Sequence, residues 1–160
     1  MSQAQVSVIE AKLALARQEF LDLITPFSES EWQVVVFSEG DQWTVADILR
    51  HLTGAEASMT RLAEIIRDGG EGAPPDFDLQ RWNARGIKKS KAKDPQELIE
   101  EMSANRIKLF TFIDGLEPDD WSKSGRHGSL QIMSIEEILN QIANHESQHT
   151  LDIRKALGVG

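Results

Sequence analysis

Between Val45 and Ile66 the apolar residues Val45, Ile48, Leu52, Ala55, Met59, Leu62 and Ile66 follow one another at alternating spacings of three and four without a break. A strand alternates at every second residue, so this pattern specifies a helix with one continuous seam that must be buried against other helices. Thr44 and Asp47 open the helix as a capping box with Asp in place of the usual Glu, and Gly69-Gly70 closes it.

Three further segments read the same way. Ile9, Leu13, Ala16, Phe20 and Leu23 mark a first helix from about Gln5 to Ile24, stopped by Pro26. Asp94-Pro95 is an N-cap acid followed by a proline suited to the first helical position. The third helix it starts should run to Asp114 before Gly115, with Leu98, Met102, Leu109 and Phe112 inward. Asn105 interrupts that seam, and is either turned outward or hydrogen-bonded inside. Ser134 and Glu137 make another capping box, opening a fourth helix to about Leu157. Of the connections, Phe27 to Trp43 holds Val34-Val35-Val36-Phe37 and reads as irregular, with room for a short strand that the pattern does not require. Residues 69–93 are polar and rich in glycine, proline and lysine, with room for a short helix near Phe77 to Ile87 docked by Phe77, Leu79 and Trp82. That stretch greatly exceeds an ordinary helix-to-helix loop, so it can carry the chain back along the bundle. The expectation is an all-α four-helix bundle with long connections, one domain over residues 1–160.

A chain of 160 residues buries a full core without disulfides, and it contains no cysteine. Thiolate metal sites and cysteine nucleophiles are therefore excluded, and any metal must be held by nitrogen or oxygen. A formal net charge of -9 argues against a nucleic-acid partner, because phosphate binding relies on basic patches. The N-terminus has no signal-peptide pattern and no apolar run approaches the roughly 20 residues of a membrane span, so a cytoplasmic protein with no membrane partner is expected.

His145 and His149, two of the four histidines, lie four residues apart in the fourth helix. His149 takes a seam position and His145 adjoins it. At this spacing the Cβ atoms are about 5–6 Å apart, and two imidazoles can reach one metal ion. Two neutral imidazoles in a core would each need a donor and an acceptor, whereas one cation satisfies both. His51 flanks the seam of the second helix. At about 1.5 Å per residue it lies roughly 10 Å from that helix's start, while His149 lies roughly 22 Å from the start of the fourth and about 12 Å from its end. The levels agree better if these two helices are antiparallel, which requires a crossover. His145-Glu146-x-x-His149 also matches the zinc-peptidase string, but no histidine or glutamate follows His149 to serve as the downstream third ligand. Glu146 turns away from the shared histidine face; it is a candidate catalytic acid or, equally, a surface acid or an ion-pair partner of Arg50 or Arg154. Asp152 can act behind the ligands rather than as one.

Trp43-Thr44-Val45-Ala46-Asp47-Ile48-Leu49-Arg50-His51-Leu52 with Glu56, His127-Gly128, the Met133-Ser134 helix start, and Ile142-Ala143-Asn144-His145-Glu146-x-x-His149 together resemble the DinB-like superfamily. The resemblance implies an up-down-down-up order of helices and a divalent metal on His51, His145 and His149. It further implies relatives that are transferases and isomerases using low-molecular-weight thiols, and pairing as a homodimer. This chain departs from the pattern at Leu151-Asp152, where the family often has a small residue followed by glutamine. Zinc, nickel or manganese all suit three imidazoles with open positions. The expected function is a metal-dependent transferase or isomerase with a thiol cosubstrate, or a hydrolase, acting on a small molecule. The competing expectation is a non-catalytic, stress-associated binding protein or dimeric bundle whose metal is structural or absent.

Overall fold

The computed structural model describes residues 1–160. Its elements in chain order are α1 (Gln3–Ile24), α2 (Glu29–Trp32), β1 (Val35–Ser38), β2 (Asp41–Thr44), α3 (Val45–Arg67), α4 (Leu79–Lys89), α5 (Pro95–Asp114), β3 (Ser124–Arg126), β4 (Ile132–Ser134) and α6 (Ile135–Leu157). Three of the four long helices start where the caps predict, and α1 starts two residues before the expected Gln5, behind a Ser2 cap. Thr44, Asp94 and Ser134 each accept from the backbone N–H three residues on, while Asp47, Glu97 and Glu137 reach back to the cap. None of the helices is long and apolar enough to cross a membrane.

The directions of the helices follow from which residues meet. Lys12 bonds Asn140 and Arg17 bonds Glu146, so α1 and α6 run parallel. Asn105 Nδ2 donates to the Thr53 carbonyl, Arg106 bonds Glu56, and the Arg67 guanidinium lies over the Phe112 ring, so α3 and α5 run parallel as well. Ile9 and Leu13 of α1 share a core cluster with Ala63 and Ile66 at the far end of α3, which sets the two pairs in opposite directions. The order is up-down-down-up. Its crossover is the segment containing α4, whose end is pinned where Arg50 donates to the carbonyls of Ser90, Lys91 and Lys93.

The apolar core is divided in two. Ile9, Leu13, Met59, Leu109 and Ile142 belong to one cluster; Phe20, Ile48, Leu98, Met102 and Ile153 belong to the other. Between them, at one level, each long helix contributes one buried charge: Arg17, Glu56, Arg106 and Glu146. Arg17 donates to Glu146 at 2.6 Å and to Glu56 at 2.5 Å, and Arg106 donates to Glu56 at 2.5 Å and to Glu146 at 2.8 Å. Spare guanidinium protons go to the carbonyls of Met102 and Leu13. Two cations and two anions balance, so the polar layer carries no net charge and leaves these oxygens partnered.

Two departures from the sequence reading concern local structure. Residues 35–44 are a β-hairpin, not an irregular connection: Val35 pairs with Thr44 and Ser38 with Asp41. Glu39 and Gly40 form its two-residue turn with φ of 51° and 76°, the positive pair that matches the twist of hairpin strands. Val36 and Ser38 point inward while Val35 and Phe37 face solvent, the two-residue alternation of a half-buried strand. The second departure is Glu146, which is neither at the surface nor bound to Arg50 or Arg154, but 3% exposed within the charged layer.

Candidate metal centre and its cavity

His51 is carried by α3, His145 and His149 by α6, and because these helices are antiparallel the three side chains meet at one level. Ring centroids are 4.6 to 5.1 Å apart and each pair of rings is nearly perpendicular, at 74° to 82°. His145 Nε2 lies 3.1 Å from His51 Nε2 and 3.1 Å from His149 Nε2. The inward strand face of the hairpin closes the site from above. Trp43 packs its indole against the His51 ring with centroids 4.7 Å apart.

Glu39, at the hairpin turn, is the member that sequence reasoning missed. Its Oε1 is 2.5 Å from His145 Nε2 and 3.3 Å from His149 Nε2, and its Oε2 is 3.2 Å from His51 Nε2. One carboxylate therefore touches all three ring nitrogens. Burial by itself would push Glu39 up, but its interactions with His145, His149 and His51 prevail and hold it far below the usual carboxylate range. Conversely, burial pushes the His51 and His149 imidazoles down, against the opposing pull of Glu39. The only sequence signal for Glu39 was its place before Gly40 in a turn. The left-handed backbone a glutamate adopts there is uncommon, and such positions cluster at functional sites.

A relay behind His149 sets its tautomer. Ser38 Oγ donates to Asp152 Oδ2 at 2.5 Å and so accepts from His149 Nδ1–H at 2.9 Å, which leaves the Nε2 lone pair facing the other two rings. His149 is fully buried. Asp152 thus stands behind a histidine of the cluster through a serine supplied by β1.

The donor set suits a cation. Glu39, His51, His145 and His149 each offer one atom, all within 4.8 Å of one another. Neighbouring ligands of one ion at about 2.1 Å are themselves about 3.0–3.4 Å apart, and His145 Nε2 stands 3.1 Å from each of the other two histidine nitrogens. With no thiolate present, nitrogen and oxygen donors admit zinc, nickel or manganese. Glu146 is outside this set, since both its carboxylate oxygens are held by Arg17 and Arg106.

His51, His145 and Glu39 border a cavity of about 470 Å³ that runs between α3, the crossover and the β3–β4 hairpin. Its wall is largely apolar, including Met59, Leu62, Phe77, Trp82 and Met133. Gly72 holds the crossover against β3: Ala73 N–H donates to the Arg126 carbonyl and Arg126 N–H to that of Glu71. His127, on the loop between β3 and β4, also borders the cavity. Its Nδ1 accepts from the Ser129 backbone N–H at 3.1 Å, so in the neutral ring the proton sits on Nε2. Burial, then the neighbouring His145, pushes its pKa below the ordinary histidine value and keeps it neutral.

An up-down-down-up bundle with three imidazoles and a carboxylate converging beside a cavity defines a distinct class of helical protein. The chain belongs to the DinB superfamily, whose family model matches residues 12–153. The fold is similar to that of YfiT from Bacillus subtilis, described as a probable metal-dependent hydrolase with an unusual four-helix bundle topology. The TM-score is 0.76 at 16% identity, covering 100% of this chain and 91% of that one. A mycothiol-dependent maleylpyruvate isomerase is similar with a TM-score of 0.72 at 17% identity, over 91% of this chain and 60% of that one. The four-helix bundle protein TT2238 matches with a TM-score of 0.64 at 18% identity, over 96% and 98% of the two chains. In sequence, the chain is 28% identical over 142 residues to a leucine–tRNA ligase of Halorhodospira halophila, a match to 70% of this chain but only 17% of that protein's length.

Proposed function

We propose that this protein is a metal-dependent enzyme in which His51, His145 and His149 hold a divalent cation and the adjoining cavity receives a small organic substrate. The observation that carries this reading is the convergence of three Nε2 atoms and one carboxylate at the edge of a cavity large enough for a substrate. A divalent ion held by three imidazoles lowers the pKa of a bound water or thiol and polarises a substrate oxygen.

The rest follows from the chain's own side chains. Ser38 and Asp152 keep the His149 Nε2 lone pair turned inward. Glu39 borders both the histidines and the cavity, and can orient an entering water or low-molecular-weight thiol by accepting its hydrogen bond. His127 borders the cavity as a neutral ring with its proton on Nε2, a donor available to a substrate oxygen. Trp43 and the apolar wall limit water around the reacting atoms. Thiol transfer or isomerisation and hydrolysis share this machinery and differ only in whether thiol or water enters beside Glu39.

The test is zinc, nickel and manganese content of protein purified without chelator, followed by thiol-conjugation and ester-hydrolysis screens of the loaded protein. His149→Ala and His145→Ala should lower occupancy sharply with helical circular dichroism near wild type, because neither apolar cluster depends on an ion. His127→Ala should retain the metal. Full retention in His149→Ala would overturn the reading, and complete unfolding of that variant would make the metal a structural element.

A further inference from the structure

The four buried charges are divided between the helices by sign. The acids stand on the helices that carry the histidines, Glu56 on α3 and Glu146 on α6, while Arg17 and Arg106 stand on α1 and α5, which carry none. Glu146 follows His145 directly, and Glu56 lies five residues, about 7.5 Å of helix, beyond His51. Each guanidinium forks between both acids: Arg17 reaches Glu56 at 2.5 Å and Glu146 at 2.6 Å, and Arg106 reaches the same two at 2.5 Å and 2.8 Å. Arg17, Glu56, Glu146 and His145 border one cavity of about 10 Å³, room for no more than a single water, so the layer adjoins the histidine cluster directly. Apolar residues of similar size would hold these helices together as well or better, since desolvating four charges offsets most of what their pairing gains. Stability therefore gives no reason for a charged layer at this level.

We infer that Arg17 and Arg106 are positioning residues of the metal centre: by clamping Glu56 to Glu146 they set the register of α3 against α6, and so bring His51 to His145 and His149. Apolar contacts are non-directional, and the two clusters that flank the layer tolerate a small slide of one helix along the other. Metal ligands do not. Their distances to the ion tolerate about 0.2 Å, whereas a slip of one residue moves a ring about 1.5 Å. A hydrogen bond weakens steeply with stretch and misalignment, so four of them on two planar forks resist such a slip from both sides. Arg17 also donates to the Met102 carbonyl of α5 and Arg106 to the Leu13 carbonyl of α1, which holds each fork in place against the movement of its acids.

This inference rests on the metal reading, and the experiment keeps the two apart. Arg17→Met, Glu56→Leu, Arg106→Met and Glu146→Leu are combined in one variant. Zinc affinity is measured by chelator competition, coordination geometry by the visible absorption of bound cobalt(II), and stability by urea unfolding of the metal-free protein. The variant should unfold at a urea midpoint equal to or above that of wild type, yet bind zinc at least roughly tenfold more weakly and with a changed cobalt spectrum. A layer that served stability alone would not lower affinity at an unchanged midpoint. Arg17→Lys keeps the charge without the planar fork and carries the same test should the combined variant not fold, with helical content near wild type and zinc affinity lowered severalfold. Zinc affinity and a cobalt spectrum equal to wild type in either variant overturn the inference while leaving the metal reading standing, and so does an affinity that falls only in step with the urea midpoint. A wild type that binds neither zinc nor cobalt overturns the metal reading, and this inference with it.

Discussion

Replacing Arg106 with methionine tests whether the buried charges act as a unit. Methionine retains most of the apolar stem, so the cost is electrostatic rather than a cavity. The substitution removes three hydrogen bonds: to Glu56 at 2.5 Å, to Glu146 at 2.8 Å and to the Leu13 carbonyl at 2.7 Å. It leaves two carboxylates, each with a side chain 4% exposed, facing Arg17 alone. Breaking a buried pair by removing one partner costs roughly 3–5 kcal/mol. For a domain of this length each kcal/mol shifts Tm by about 2–4 °C, so a fall on the order of 10 °C is expected. Adding Glu146→Met restores charge balance, since Arg17 and Glu56 remain as a pair at 2.5 Å, and should recover at least about half of the loss. Urea and thermal unfolding followed by circular dichroism measure both variants. A single-variant loss below about 1 kcal/mol, the scale of an exposed ion pair, would refute the reasoning. Strict additivity in the double variant would equally show that the four charges do not act together.

Three further outcomes are expected. Glu39→Gln should weaken zinc affinity by roughly tenfold or more in a chelator-competition titration while leaving helical content unchanged; an unaltered affinity would remove Glu39 from the site. Because burial holds His51 and His149 below the ordinary histidine value, the unfolded chain binds more protons than the folded one below about pH 6.5. Stability of the metal-free protein is therefore fully present above that pH and is lost as pH falls through the lower folded values, and a urea midpoint equal at about pH 7.5 and about pH 5.5 would contradict this. Gly72→Ala would set a Cβ against the Arg126 backbone at a φ of 90°, and should cost about 1–3 kcal/mol in urea unfolding by prising the crossover from β3; an unchanged midpoint would show that the cavity wall tolerates the shift.

Sequence alone determined the parts of this protein that local periodicity encodes. The seam from Val45 to Ile66 and the caps at Thr44, Asp94 and Ser134 specify helices because each signal acts within one or two turns of its own residue. The i, i+4 spacing of His145 and His149, with His51 at a matching depth, was legible for the same reason. Tertiary structure decided what distant residues do to one another. The strands of the Val35–Thr44 hairpin are too short for their alternation to stand out, and only their packing on α3 and α6 brings Glu39 and Ser38 to the imidazoles. No local pattern marks Arg17 and Arg106 as interior residues; acids from α3 and α6 neutralise them there. In each case the free energy of the residue depends on a partner tens of residues away. Only the closed bundle, by excluding water, turns those partners from optional to obligatory.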